Sequence, residues 1–289
     1  MNNDSKNYIA FGYSTDLSVL STERFKGLSL KIKDNLIEEI LFKEKEITVY
    51  FNDSLKNLEK ENIVEKVKRK LMLALLHLES VYNFSSFYLD ESEIKIAGSD
   101  IVEVPFQNTA EFSLTGSVKI EKKVDGRLLT KEEQDERERK KTREKLENQL
   151  SDFEKWSNNF SEYDVKCFEN IFQIKDPVIK YFILYSWLTK LCRNKEGKEF
   201  QELARDFIKN SKTFHDIGEL RRHRNRDNTK KGKNPQDEDI FTCLRNLIGH
   251  SINDALCMDD EQIVCDIKKY TPYLMKIIIE KLTESPTLN

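Results

Sequence analysis

No run of apolar residues approaches the ~18 that a helix needs to cross a bilayer, so a helical membrane protein is not expected. Net charge is also small. The 48 Lys and Arg stand against 51 Asp and Glu, leaving −3, so any electrostatic signal for a polyanion must be local. Cys-x2-Cys pairs are missing. Cys167, Cys192, Cys243, Cys257 and Cys265 fall at apolar positions of expected helices and read as reduced core thiols of a cytosolic protein. The opening Met1-Asn2-Asn3-Asp4-Ser5-Lys6 lacks the basic-then-apolar pattern of a secretion signal, and the cytoplasm is the expected location. Residues 1–127 hold no glycine-rich phosphate loop, nucleophile elbow or metal-ligand spacing, and no cofactor or metal is expected.

What is present suits about two domains. The chain has 289 residues, 38% apolar and 34% charged, a helix-rich balance. Leu28–Ile32 and Ile47–Phe51 alternate with the two-residue period of a half-buried strand. Residues 8–13, 94–97, 101–106 and 112–120 add β-branched and aromatic runs. Between them, residues 61–83 put Ile63, Val64, Val67, Leu71, Ala74, Leu75, Leu78 and Tyr82 on one helical stripe. His77 in that helix reads as a partly buried histidine with a hydrogen-bond partner. The expected class is α+β: a mixed sheet domain with one main helix over 1–127, then an all-α bundle over 146–289.

Between the two lies a charged helical linker, residues 128–145. Of Lys131–Lys145, all but Gln134 and Thr142 are charged, and Thr130-x-x-Glu133 reads as a capping box. With no apolar face this segment is a solvated connector. Leu146, Leu150, Phe153 and Trp156 are expected to open the second domain. There, residues 163–174 read as a helix stopped before Pro177, and residues 178–192 as one with a wide buried face of Tyr181, Phe182, Leu184, Tyr185, Leu188 and Leu191. Residues 200–209, 240–250 and 263–282 continue the helical period. Asp237-Glu238-Asp239 and Asp259-Asp260-Glu261 each precede a helix, where carboxylates cap free amides; that reading is preferred to a two-metal site.

Chemistry concentrates in Leu244-Arg245-Asn246-Leu247-Ile248-Gly249-His250. Each helical residue turns ~100°, so Asn246 and His250 lie ~40° apart on one face, whereas Arg245 and His250 lie ~140° apart. Only the long Arg stem can bring its head towards the imidazole. Leu244, Leu247 and Ile248 mark the core side, and Gly249 invites close approach. Guanidinium offers a planar donor fork for phosphate oxygens, and imidazole exchanges a proton near neutral pH. Ahead of this helix, residues 221–233 carry seven Lys or Arg against one Asp, a loop of +6. Arg221, Arg222, Arg224, Arg226, Lys230, Lys231 and Lys233 form an electrostatic funnel for a polyanion, with His223 at most a further contact.

Arg245-Asn246-x3-His250, preceded by Ile240-Phe241-Thr242-Cys243-Leu244 in a helical setting, resembles the Arg-x(4–6)-His motif of the HEPN superfamily, over roughly the last half of the chain. The resemblance implies a HEPN-like helical bundle, a homodimer through it, and metal-independent endoribonuclease activity of toxins and antiphage defence (abortive-infection) effectors. Arg245 and His250 match the family's catalytic pair and Asn246 its polar neighbour. RNA is the implied partner, with an antitoxin or phage-derived trigger as regulator. Some toxins of the family carry Tyr two residues after the His; Ile252 stands there, so the likeness does not extend to them. Two other arrangements fit the same residues. The bundle can be a catalytically inactive RNA-binding or dimerisation module, with the N-terminal domain as the working part. Alternatively that domain senses an invader component and releases the nuclease.

Overall fold

Strands β1 (Asn7–Thr15), β2 (Ser29–Lys31), β3 (Ile37–Phe42) and β4 (Glu46–Phe51) pair antiparallel, and in β1, β2 and β4 the apolar residues alternate. Ile9 pairs with Val49, Val49 with Ile40 and Ile40 with Leu30, all buried. β5 (Phe87–Lys95) and β6 (Val102–Glu103) complete a six-stranded sheet in the order β2-β3-β4-β1-β5-β6. β7 (Lys123–Val124) and β8 (Arg127–Leu128) make a separate small ladder. The computed structural model describes residues 7–15, 27–43, 46–55, 58–78, 87–95, 102–103, 123–124, 127–128, 131–218, 220–222, 237–253 and 261–284. The strand expected at 112–120 lies outside them, as do Thr130 of the expected capping box and Tyr82. Strand β3 was not expected. A register shift between Ile37 and Glu39 turns both Ile37 and Ile40 inward and hides the two-residue alternation.

The chain divides into two compact units, Met1–Val81 with Tyr88–Asn158, and Tyr82–Phe87 with Asn159–Asn289. In the first, helix α1 (Lys60–His77) buries Ile63, Val67, Leu71, Ala74 and Leu75 as its stripe requires. Met72, Leu73 and Leu76 are buried too, because α1 packs on β3 and β4 and also on α3 (Phe153–Ser157). The charged segment is helix α2 (Lys131–Gln149), exposed along residues 135–145 except for the half-buried Thr142. Leu146, Leu150, Phe153 and Trp156, expected to open the second domain, pack within the first unit. Trp156 lies 4.4 Å from the His77 ring. His77 Nε2 donates to the Gln149 carbonyl at 2.7 Å, and Gln149 Nε2 returns a bond of 2.7 Å to the His77 carbonyl. The partnered histidine of the sequence reading is therefore found.

An ion pair ties this unit together. Lys70 Nζ meets Asp34 Oδ2 at 2.6 Å with side chains 12% and 0% exposed, and also donates to Ser157 Oγ at 3.0 Å. The other Asp34 oxygen accepts from the amides of Leu36 and Ile37, so one carboxylate shapes the entry to β3 and anchors α1.

The second unit is mostly helical, which makes the chain α+β. Helix α4 (Glu162–Gln173) starts in a reciprocal capping box between Ser161 and Asp164. Pro177 occupies the first turn of α5 (Pro177–Leu191), whose cap Asp176 accepts from the Ile179 amide at 2.8 Å. Helices α6 (Gln201–Asn210), α7 (Lys212–Ile217), α8 (Ile240–Asn253) and α9 (Glu261–Thr283) follow. Tyr181, Tyr185, Phe168, Phe172, Phe241 and Tyr270 are fully buried among them. Cys192 is buried as expected, and burial pushes its thiol up to about 11. Cys167 and Cys243 are half-buried, and Cys257 lies outside the described residues. Cys265 is a correction: it is exposed, on the face of α9 that also carries Lys268 and Lys269. No helix among the described residues is long and apolar enough to cross a membrane.

Breaking a buried ion pair from one side strands the other charge, at a cost of about 3–5 kcal/mol. Lys70→Ala should therefore lower unfolding stability by about 3 kcal/mol, read by urea titration on the first unit's transition. A loss under 1 kcal/mol, the ordinary worth of an exposed pair, would show that the anchor is solvated.

Candidate functional site

The site is built on α8, and α8 is fixed by how it begins. The segment before it is strand β10 (Asp237–Asp239), which pairs antiparallel with β9 (Leu220–Arg222). The register sets Asp237 across from Arg222 and Glu238 across from Arg221. This corrects the reading of residues 221–233 as one basic loop: Arg221 and Arg222 belong to a strand laddered against an acidic one. Arg224, Arg226, Lys230, Lys231, Lys233 and His223 lie outside the described residues. The whole segment from Leu220 to Asp239 holds seven basic residues against four acidic, so its local charge is +3 once the acidic strand is counted.

Asp239 ends the strand and caps the helix. Its Oδ1 accepts from the Thr242 amide at 2.8 Å and its Oδ2 from the Thr242 hydroxyl at 2.7 Å. With that hydroxyl proton committed, the Tyr185 hydroxyl must donate to Thr242 Oγ1, 2.8 Å away. Tyr181 donates to the Phe241 carbonyl at 2.9 Å. The expected capping role of the acidic cluster is thus met by Asp239; Glu261 lies in the first turn of α9, while Asp259 and Asp260 lie outside the described residues.

This start sets the rotation of α8. Leu244 and Ile248 turn inward and are buried, whereas Arg245, Asn246 and Gly249 sit at the half-buried boundary. Leu247, expected on the core side, is 36% exposed, because the buried arc is narrower than the apolar sequence implies. Arg245 Nη1 donates to Asn246 Oδ1 at 3.0 Å, and its guanidinium carbon lies 5.9 Å from the Phe182 ring centre on α5. A Cβ placed on Gly249 would meet Arg245 Nη1 at 3.9 Å. The stem therefore carries its head forward along the helix towards Gly249.

His250 belongs to α8, and its side chain lies outside the described residues. Asn246 was expected to turn towards the imidazole or a phosphate. Its carbonyl oxygen accepts from Arg245 and from a residue that the sequence did not suggest, Gln201, whose Nε2 donates at 3.2 Å. Nothing in the linear pattern marks Gln201, since it joins the site only because α6 passes beside α8. Among the described residues no three His, Cys, Asp or Glu are grouped so as to hold a metal ion. Set against protein-family models, curated proteins and solved structures, the chain matches none of them.

Burial holds the Asp239 carboxyl above its ordinary range, although its bonds from Thr242 and the nearby charges of Arg205 and Lys209 pull it down. A carboxyl raised in the folded state favours folding at low pH and loses that contribution as pH rises through the raised value. Asp239→Asn keeps an acceptor for the Thr242 amide but never ionises. Its stability relative to wild type should rise from acid to neutral pH, seen in thermal melts. A difference that stays flat with pH would place the carboxylate in water.

Proposed function

We propose that the second unit is a metal-independent endoribonuclease of the HEPN type, cutting RNA at a cleft between two copies of the chain. The observation that carries this reading is the posture of Arg245. Its guanidinium is fastened to Asn246, laid past Phe182 and brought along α8 to the turn that holds His250. Such a preorganised cation stabilises charge that develops on the non-bridging oxygens of a phosphodiester.

In the reaction, one imidazole takes the proton of a ribose 2′-OH, whose oxygen attacks the adjacent phosphorus. The P–O5′ bond breaks, and the departing oxygen receives a proton from the second copy's imidazole. Products are a 2′,3′-cyclic phosphate and a 5′-OH, and DNA is spared because it lacks the nucleophile. The basic residues of 221–233 draw the polyanion in. The activity is that of a toxin or antiphage defence effector, held by an antitoxin or by the first unit until a phage-derived trigger is sensed.

Support for a second copy comes from α5. Ile179 and Ile183 are 54% and 38% exposed one turn apart on the helix whose Phe182 meets Arg245. An apolar seat beside the cation is where a partner chain would exclude water.

Purified wild type should cut single-stranded RNA in the presence of EDTA and leave 2′,3′-cyclic ends, while Arg245→Ala and His250→Ala each lose about 10²–10³ in rate. Cutting that survives His250→Ala, or that stops on chelation, would overturn the assignment. In cells the same pair should relieve growth arrest and RNA decay caused by wild type. Ile183→Glu should leave helicity intact yet shift sedimentation to the monomer and abolish cutting; full activity in a monomer would remove the shared cleft.

A further inference from the structure

Asn246 Oδ1 receives two donors, Arg245 Nη1 from its own helix at 3.0 Å and Gln201 Nε2 from α6 at 3.2 Å. A carbonyl oxygen has two lone pairs, so both are used in holding one guanidinium and one amide. The side-chain amide of an asparagine turns readily about its last bond, and its two ends are nearly equal in size but opposite in hydrogen bonding. Arg245 can be held only when the oxygen end faces it; the NH2 end would set donor against donor. Arg245, which can only donate, selects the oxygen end; a second donor reaching the same oxygen from another helix fixes where that oxygen sits. Gln201, at the first position of α6, supplies that donor.

We infer that Gln201 is a positioning residue: from α6 it holds in place the Asn246 oxygen that Arg245 grips, and so keeps the guanidinium against Phe182 and Gly249. Its consequence for catalysis rests on the ribonuclease reading above, whereas its geometry does not. Gln201 touches no substrate in this scheme. It acts through Asn246 on the group that meets the phosphate, so its removal is felt in the transition state rather than in substrate binding.

Two substitutions separate this role from a merely structural one. Gln201→Ala removes the donor. Gln201→Glu keeps the size and places a carboxylate in the first turn of a helix, which favours that helix end. It can only accept, however, so it draws the Asn246 NH2 or the guanidinium itself away from the present arrangement. Both variants of the full-length chain should melt no lower than wild type by more than a degree or two, with Gln201→Glu the firmer. Both should lose about tenfold in kcat with KM unchanged, the size expected for one lost hydrogen bond in the transition state. In the Asn246→Ala background, Gln201→Ala should have no further effect, because the route is already cut.

The orientation of Arg245 is read independently of cutting, from its Nε–Hε resonance, assigned by its disappearance in Arg245→Lys. Wild type should give a sharp, slowly exchanging signal, and Gln201→Ala a broadened one. An unchanged Arg245 signal in Gln201→Ala overturns the inference, and so does a kcat loss that is as large with Asn246→Ala as without it. Should wild type cut no RNA at all, the ribonuclease reading falls and the resonance alone decides whether Gln201 holds Arg245.

Discussion

Everything at the α8 end of the second unit depends on a carboxylate that is kept from water. A helix beginning inside a protein leaves amides that must find acceptors, and Asp239 supplies both of its oxygens to Thr242 at zero exposure. The tyrosines of α5 complete the arrangement, one donating to Thr242 and the other to the Phe241 carbonyl. Six polar groups are thereby satisfied, and each constrains the next. The outcome is a helix with one permitted rotation. Leu244 and Ile248 face in, and Arg245 and Asn246 reach the boundary where a ligand can meet them.

Helix α5 serves both sides of that constraint. Its sequence is apolar nearly all round, which suits a helix that is fully enclosed. One arc, with Tyr181, Leu184, Tyr185 and Leu188, is enclosed; the other leaves Ile179 and Ile183 in solvent with the half-buried Phe182 between them. The same helix thus anchors the start of α8 through its hydroxyls and offers an aromatic face to the cation one turn further along. A rigid support of this kind is what an electrostatic catalyst requires, since a charge already aimed needs no reorganisation when the reaction occurs.

The first unit obeys a different economy. Its sheet buries one face under α1, and α1 is in turn covered by α3, so the helix is the middle layer. That helix leaves Glu61, Asn62, Glu65 and Lys66 exposed, and the charge it carries deeper at Lys70 is neutralised by Asp34 from the turn before β3. His77 closes the layer through its reciprocal bonds with Gln149 and its contact with Trp156.

Periodicity alone determined where most helices and strands run, because the spacing of apolar residues records which side of each element is shielded. It also disclosed Pro177 at a helix start and the carboxylate cap before α8, both of which follow from local backbone geometry. It did not disclose β3, whose register shift breaks the alternation. Nor did it place Leu146, Leu150, Phe153 and Trp156 in the first unit, since an apolar stripe does not name the surface it will cover. The ladder of Arg221 and Arg222 against Glu238 and Asp237 was hidden for the same reason: pairing between distant segments leaves no mark on either one. Gln201 is the plainest case. Its hydrogen bond to Asn246 spans 45 positions of chain and exists only because two helices lie side by side, so that partnership was decided by packing alone.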